Sequence, residues 1–231
     1  MSDGTFKGFG PKALPFLKAL DFHQSREWFL ENRDLYETEL RDPLGDLVDA
    51  LTQRFGEAGL GLRGDRKKSL FRINRDVRFA RDKRPYNRHV SAILSPDGSK
   101  AVQGVFYVHI GLEGCFAGVA WWQPEAALLL SMRRAIETWP DRFRAMVKAL
   151  KKNGLELDAE GAMKRTPRGF EQVTDKDLVA AIRNRHFVVR HAIDPAGIHG
   201  PELVDELVGF TARARPLLDW GRAIEGKTVA A

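Results

Sequence analysis

Apolar residues recur along most of this chain at helical spacing and alternate in only a few short runs. Leu14, Phe16, Leu17 and Leu20 mark a first short helix. Asp21 or Ser25 can cap a second, carrying Trp28, Phe29, Leu35, Tyr36 and Leu40. Asp42-Pro43 reads as an N-cap with proline at the first helical position. It opens a helix that buries Leu44, Leu47, Val48, Leu51 and Phe55 and ends in Gly56, Gly59, Gly61 and Gly64. The run from Phe71 to Val77 alternates, placing Phe71, Ile73, Arg75 and Val77 on one face. Arg84-Pro85-Tyr86 breaks any regular element, and Pro96-Asp97-Gly98 is a turn. Val105 to Ile110 predicts a strand with Tyr107 and His109 on one face and Phe106, Val108 and Ile110 on the other. Gly111 to Gly114 is its hairpin connection, and Cys115 to Trp122 is the return strand. Helices follow from Pro124 to Ile136 and from Pro140 to Leu150, then irregular chain from Leu155 to Phe170. Asp175 caps a short helix through Ile182, and His186 to Ile193 reads as a strand. A last helix starts near Pro201 with Leu203, Leu207, Phe210, Ala214 and Leu217 on one stripe. The pattern predicts an α+β protein: one domain over residues 1–231, a central mostly antiparallel sheet with helices packed on it, and helical N- and C-terminal segments.

Composition narrows the class. With 231 residues, 43% of them hydrophobic, the chain can bury a sizeable core, which argues against disorder. One cysteine, Cys115, excludes a disulfide scaffold, and its apolar neighbours suggest a core thiol. No apolar run approaches the ~20 residues a bilayer needs, and the first residues lack the basic and apolar regions of a secretory signal. A cytoplasmic protein with no membrane partner is the expectation.

Charge changes the picture more. Between Arg63 and Arg88 stand eleven bases and only three acids, so this segment carries +8 in a chain whose net charge is +6. Such a local excess attracts phosphate, carboxylate or nucleic acid, unless acids elsewhere fold back onto it. Familiar chemical motifs are weaker. Gly59-Leu-Gly61-Leu-Arg-Gly64 has the letters of a dinucleotide loop, but it follows a helix and precedes no helix. The six histidines form no metal-ligand pair at helical or alternating spacing, and no nucleophile elbow or phosphate loop occurs. No metal and no cofactor are expected. What remains is the run from Arg75 to Tyr86, with His89 just beyond. Arg75, Arg78 and Lys83 can hold an anion through planar or point-charge contacts; Tyr86 and His89 offer a ring and a proton near neutral pH. Tyr107 and His109 share a strand face and can line the same pocket. The competing reading is an Arg–Asp network, built on Asp76 and Asp82, that pins a loop to the sheet.

The string Phe71-Arg-Ile-Asn-Arg-Asp-Val-Arg-Phe79, continued by Asp82-Lys83 and Pro85-Tyr86, resembles the signature R-D-x-R-F-x-x-D-K-x-P-Y of a widespread microbial and fungal family of uncharacterised proteins. Phe6 to Phe9, Arg26 to Phe29, Tyr107 to Ile110 and Lys164 to Phe170 resemble other parts of that family in order. The resemblance implies one conserved domain of unknown function over residues 6–218, leaving 219–231 as an expected flexible tail. It implies no catalytic residues. Three functional expectations follow: a pocket for a small phosphate- or carboxylate-bearing ligand, a nucleic-acid-associated surface using the same basic segment, or a non-enzymatic scaffold for a protein interface.

Overall fold

The computed structural model describes residues 5–228. Its contacts divide the chain into two compact units. The first holds the chain up to Val102, Phe106–Ala117 and His191–Phe210; the second holds Gln103–Val105, Gly118–Arg190 and the chain from Thr211.

The first unit opens with a near-continuous helical run: α1 (Ala13–His23), α2 (Arg26–Glu31), α3 (Arg33–Tyr36), a π-helical turn (Glu37–Arg41) and α4 (Asp42–Glu57). Ser25 caps α2, its hydroxyl accepting the Trp28 N–H at 3.1 Å. Asp42 does not act as the expected cap. The chain enters α4 directly from the π-turn, so no free N–H group awaits a side chain there, and Pro43 sits in a first turn that is already helical. Leu44, Leu47, Val48, Leu51 and Phe55 are all buried along one stripe of α4.

That stripe belongs with the inner face of a sheet. The strands are β1 (His89–Leu94), β2 (Val105–Gly111), β3 (Cys115–Trp121) and β4 (Phe187–Ile193), antiparallel in the order β1-β2-β3-β4. In the β1–β2 register Ala92 faces Val108 and Ser91 faces His109. Val90, Ala92, Leu94, Phe106, Val108 and Ile110 therefore share one buried face, where α4 lies against β1 and Phe55 meets Phe106 edge-on at 5.2 Å. Burial of each such large side chain is worth roughly 1.5–3 kcal/mol over leaving it exposed. His89, Ser91, Ile93, Tyr107 and His109 share the opposite face.

The basic segment wraps this second face. Residues 63–71 first track the outer edge of β1: Arg63 and Ser95 exchange backbone bonds at 2.9 Å, Ile93 N–H donates to Ser69 O, and Phe71 N–H donates to Ser91 O. The alternation from Phe71 to Val77 predicts a strand, but within that run the structure makes one isolated bridge, Asn74 with Tyr86, preceded by Leu70 with Ala92. Only Ile73 of the expected apolar face is buried. Arg75 N–H donates to Pro85 O and Asn87 N–H to Ile73 O, so residues 73–75 and 85–87 close a loop instead of extending a sheet.

The second unit is mainly helical: α5 (Ala126–Thr138), α6 (Pro140–Lys152), α7 (Lys176–Ile182) and α9 (Arg215–Thr228), which follows α8 (Glu202–Arg213) in the chain. Asp175 caps α7, its carboxylate accepting the Asp177 and Leu178 N–H groups. Trp121 is fully buried and donates its indole N–H to Leu217 O at 3.3 Å. Gly221 of α9 lies directly against that indole, and a Cβ there would overlap it. Trp220 meets Phe143 and Phe187 edge-on. Two expectations need correction. The last predicted helix is two helices, α8 and α9, interrupted at Ala214. Residues 219–228 are not a flexible tail: they complete α9, with Trp220 and Ile224 buried, and the rest of the expected tail, 229–231, lies outside the described residues.

Candidate functional site

The loop between Arg75 and Arg84 is held by its own charges. Asp76 accepts the Arg78 guanidinium through both Nε (3.0 Å) and Nη2 (2.7 Å). Asp82 accepts Arg75 Nη1 at 2.9 Å and Arg84 Nη2 at 2.8 Å, and Arg75 also donates to the Arg84 carbonyl. Arg84 first, and Arg75 after it, hold the Asp82 carboxyl far below the usual carboxylate range. Lys83 Nζ donates to the carbonyls of Val77 and Arg78, capping the turn from within. Arg84 and Arg88 also reach Asp21 of α1, at 3.0 and 3.8 Å. Gln24, at φ +44°, seats the loop's end: its amide oxygen accepts the Tyr86 N–H and its amide nitrogen donates to Tyr86 O. Tyr86 is thereby fixed with its buried ring stacked on Phe29 at 4.6 Å.

Of the sequence-predicted residues, Arg75, Arg78 and Lys83 thus have internal partners and shape the loop. Tyr86, His89, Tyr107 and His109 do gather beside it. His89 and His109 lie with ring centroids 4.1 Å apart, His109 stacks on Phe116 at 4.7 Å, and its Nδ1 is 3.3 Å from the Tyr107 hydroxyl. Burial, reinforced by the neighbouring His89, pushes the His109 imidazole down to about 4; burial also lowers His89 and raises the Tyr107 phenol. At neutral pH this patch is uncharged, able to donate and accept hydrogen bonds but adding no positive field. Among the described residues no group of three His, Cys, Asp or Glu side chains is placed to hold a metal ion. Cys115 is buried, and burial pushes its thiol up, away from the reactive thiolate.

A cavity of ≈ 580 Å³ lies next to the patch, between α2–α3 and the stretch Arg66–Asn74. Six cations line it, Arg26, Arg33, Arg41, Arg66, Lys67 and Arg72, against one carboxylate, Glu37. Glu37 takes Arg33 at 3.0 Å and Arg41 at 3.3 Å; Arg66 is held by Asp46 and Asp49. Arg26, Lys67 and Arg72 are exposed and form no close ion pair among the described residues, although Asp65 acts on Lys67 and Asp76 on Arg72 at longer range. The remaining wall is apolar, with Phe29, Leu30, Tyr36, Phe71 and Tyr86. Burial raises the Tyr36 phenol to about 12, so it stays protonated. Phe71, Arg72 and Asn74 also line a second hollow of ≈ 430 Å³ that reaches Ser91 and Tyr107. Arg75, Asn87 and His89 join that one to a third of ≈ 210 Å³ ending at His109. The second and third hollows carry charges of both signs, Arg75, Arg84 and Arg88 beside Asp76, Asp82 and Glu113.

Sequence reading missed the cations on the helices. Their signal was present: Arg26, Leu30, Arg33, Glu37 and Arg41 follow helical spacing and share one stripe, but the apolar residues on the other face dominated the pattern.

No curated protein and no solved structure matches the chain. A family model does, described as a conserved hypothetical protein (DUF2461) and covering residues 12–220, and the chain belongs to that family.

Proposed function

We propose that this protein binds a small phosphate- or carboxylate-bearing ligand in the cavity beside α2 and α3. The observation that carries the reading is the trio Arg26, Lys67 and Arg72: exposed cations around a concave, partly apolar wall that form no close ion pair among the described residues, with Asp65 and Asp76 acting on Lys67 and Arg72 only at longer range. Guanidinium groups match the oxygens of phosphate and carboxylate in paired, planar contacts. The neighbouring bases Arg33, Arg41 and Arg66 are held in place by Glu37, Asp46 and Asp49, which offset their charge, so the field in the cavity comes from the trio. The Gln24 clamp fixes Tyr86 in the wall of the cavity, so this part of the site is formed before the ligand arrives. A thermal-shift titration with phosphate and pyrophosphate at about 0.05 and 0.3 M salt tests this. Stabilisation that persists at the higher salt and disappears in Arg72→Ala supports the pocket; an unchanged melting curve contradicts it.

A second reading, a nucleic-acid-associated surface, rests on one residue. Phe79 is 95% exposed at the tip of the loop, with exposed Arg78, Arg81 and Lys83 around it. An exposed ring among bases can stack on an unpaired nucleobase. This reading expects oligonucleotide affinity to fall steeply with salt, by about 0.7–0.9 log units per log unit of salt for each phosphate contacted, and to drop in Phe79→Ala.

A further inference from the structure

We infer that the ligand of the basic cavity carries a flat aromatic ring beside its anionic group, as a nucleoside phosphate or another aryl phosphate ester does. This rests on the anion-binding reading above and specifies its substrate class.

The cavity is larger and more apolar than a bare anion requires. At ≈ 580 Å³ it falls within the range that encloses organic ligands, roughly 300–1,000 Å³. An inorganic anion would be served by the cations alone, yet aromatic side chains lie among them. Phe71 is 40% exposed and Leu30 is 52% exposed, both in the lining of this one hollow. Phe71 is not a loose surface residue. Its backbone N–H is tied to Ser91 O at 2.9 Å, the Lys100 ammonium stands 4.6 Å from its ring centroid, and Tyr107 approaches it edge-on at 6.2 Å. Lys100 in turn donates to the Leu70 carbonyl at 2.6 Å, which fixes the cation and with it the ring. A held, exposed ring that borders both the first and second hollows is a stacking platform. The second aromatic element of the lining, Phe29 on Tyr86, is held as firmly through Gln24.

Arg72 follows Phe71 directly and lines the same two hollows. One ligand can therefore meet a guanidinium and a ring from adjacent residues, with its phosphate towards Lys67 and Arg26 and its ring at Phe71. Beyond Phe71 the second hollow offers Asn74, Asn87, Ser91 and His89, neutral groups suited to the heteroatoms of a sugar or heterocycle, beside the ion-paired Arg75 and Asp76.

Isothermal titration of the full chain separates the two layers of this inference. The probes are pyrophosphate, ribose 5-phosphate, 4-nitrophenyl phosphate, AMP and adenosine. The expected result is that AMP or 4-nitrophenyl phosphate binds at least tenfold tighter than ribose 5-phosphate, and adenosine at least tenfold weaker than AMP. AMP ahead of 4-nitrophenyl phosphate identifies a nucleoside; the reverse identifies a simpler aryl ester. Phe71→Ala should erase the ring preference and leave ribose 5-phosphate affinity within about twofold, whereas Arg72→Ala should weaken every phosphate. Phe71→Leu, which keeps apolar bulk without a ring, guards against a folding defect and should also lose the preference. If ribose 5-phosphate or pyrophosphate binds as tightly as the ring-bearing esters, the ring assignment is overturned and anion binding stands. If no phosphate binds at all, both readings fail.

Discussion

Gln24 and His109 show what single side chains do here. Gln24 occupies the left-handed region at φ +44°, and its amide makes two hydrogen bonds to the Tyr86 main chain. Gln24→Ala keeps the strained backbone and removes both bonds. A loss of about 1–2 kcal/mol in urea unfolding is expected, with stronger quenching at Tyr86 as its ring loosens. His109 is held neutral by burial, its imidazole pushed down from 6.5 to about 4. Between those values the unfolded chain takes up a proton that the folded chain refuses. Stability is therefore complete above pH 6.5 and is lost as pH falls towards 4, by an amount on the order of 3 kcal/mol. His89, shifted in the same direction, adds to that slope. His109→Gln should flatten the fall in urea midpoint between about pH 7 and 5; an unchanged slope would place the titrating group elsewhere. Sequence could name Tyr86, His89, Tyr107 and His109, because a strand's alternation puts Tyr107 and His109 side by side. It could not say whether Arg75, Arg78 and Lys83 were free. Their partners, Asp76, Asp82 and three carbonyls, lie within a few residues, but only the turn geometry decides that they pair.

Elements divide into those whose pattern is strong and those set by a neighbour. The stripe of α4, the hairpin of β2 and β3, and the Asp175 cap of α7 are legible because period and cap chemistry agree. β1 is not: His89-Val-Ser-Ala-Ile-Leu alternates, but Ala92 and Ile93 blur the contrast, and its inner face is defined by α4. The Phe71–Val77 run shows the reverse case, an alternating pattern whose main chain is taken by Ser91, by the 85–87 partner and by the Lys83 ammonium. The loop it enters should depend on Arg75. Arg75→Ala is expected to raise hydrogen exchange across residues 77–84 and speed tryptic cleavage after Arg78 and Arg81, while phosphate binding stays within about twofold. In the second unit, Gly221 is where α9 meets the Trp121 indole. Gly221→Ala forces the helix or the ring to move and should cost about 1–3 kcal/mol, with a changed tryptophan emission maximum.

At the scale of the whole chain, the +8 segment is a set of two populations rather than one field. From Arg75 onward the bases are largely matched by Asp76, Asp82, Asp21 and Glu113, whereas Lys67 and Arg72, together with Arg26 from α2, border the cavity without a close ion pair among the described residues. Among these residues, no helix is long and apolar enough to cross a membrane. The decisive comparison is therefore between two pairs of bases that sequence cannot tell apart. Pyrophosphate should be titrated calorimetrically into the parent chain, into Lys67→Ala/Arg72→Ala and into Arg75→Ala/Arg78→Ala. Cavity binding requires the first pair to weaken affinity at least tenfold and the second to leave it within about twofold. The opposite order would move the site to the loop and contradict the assignment.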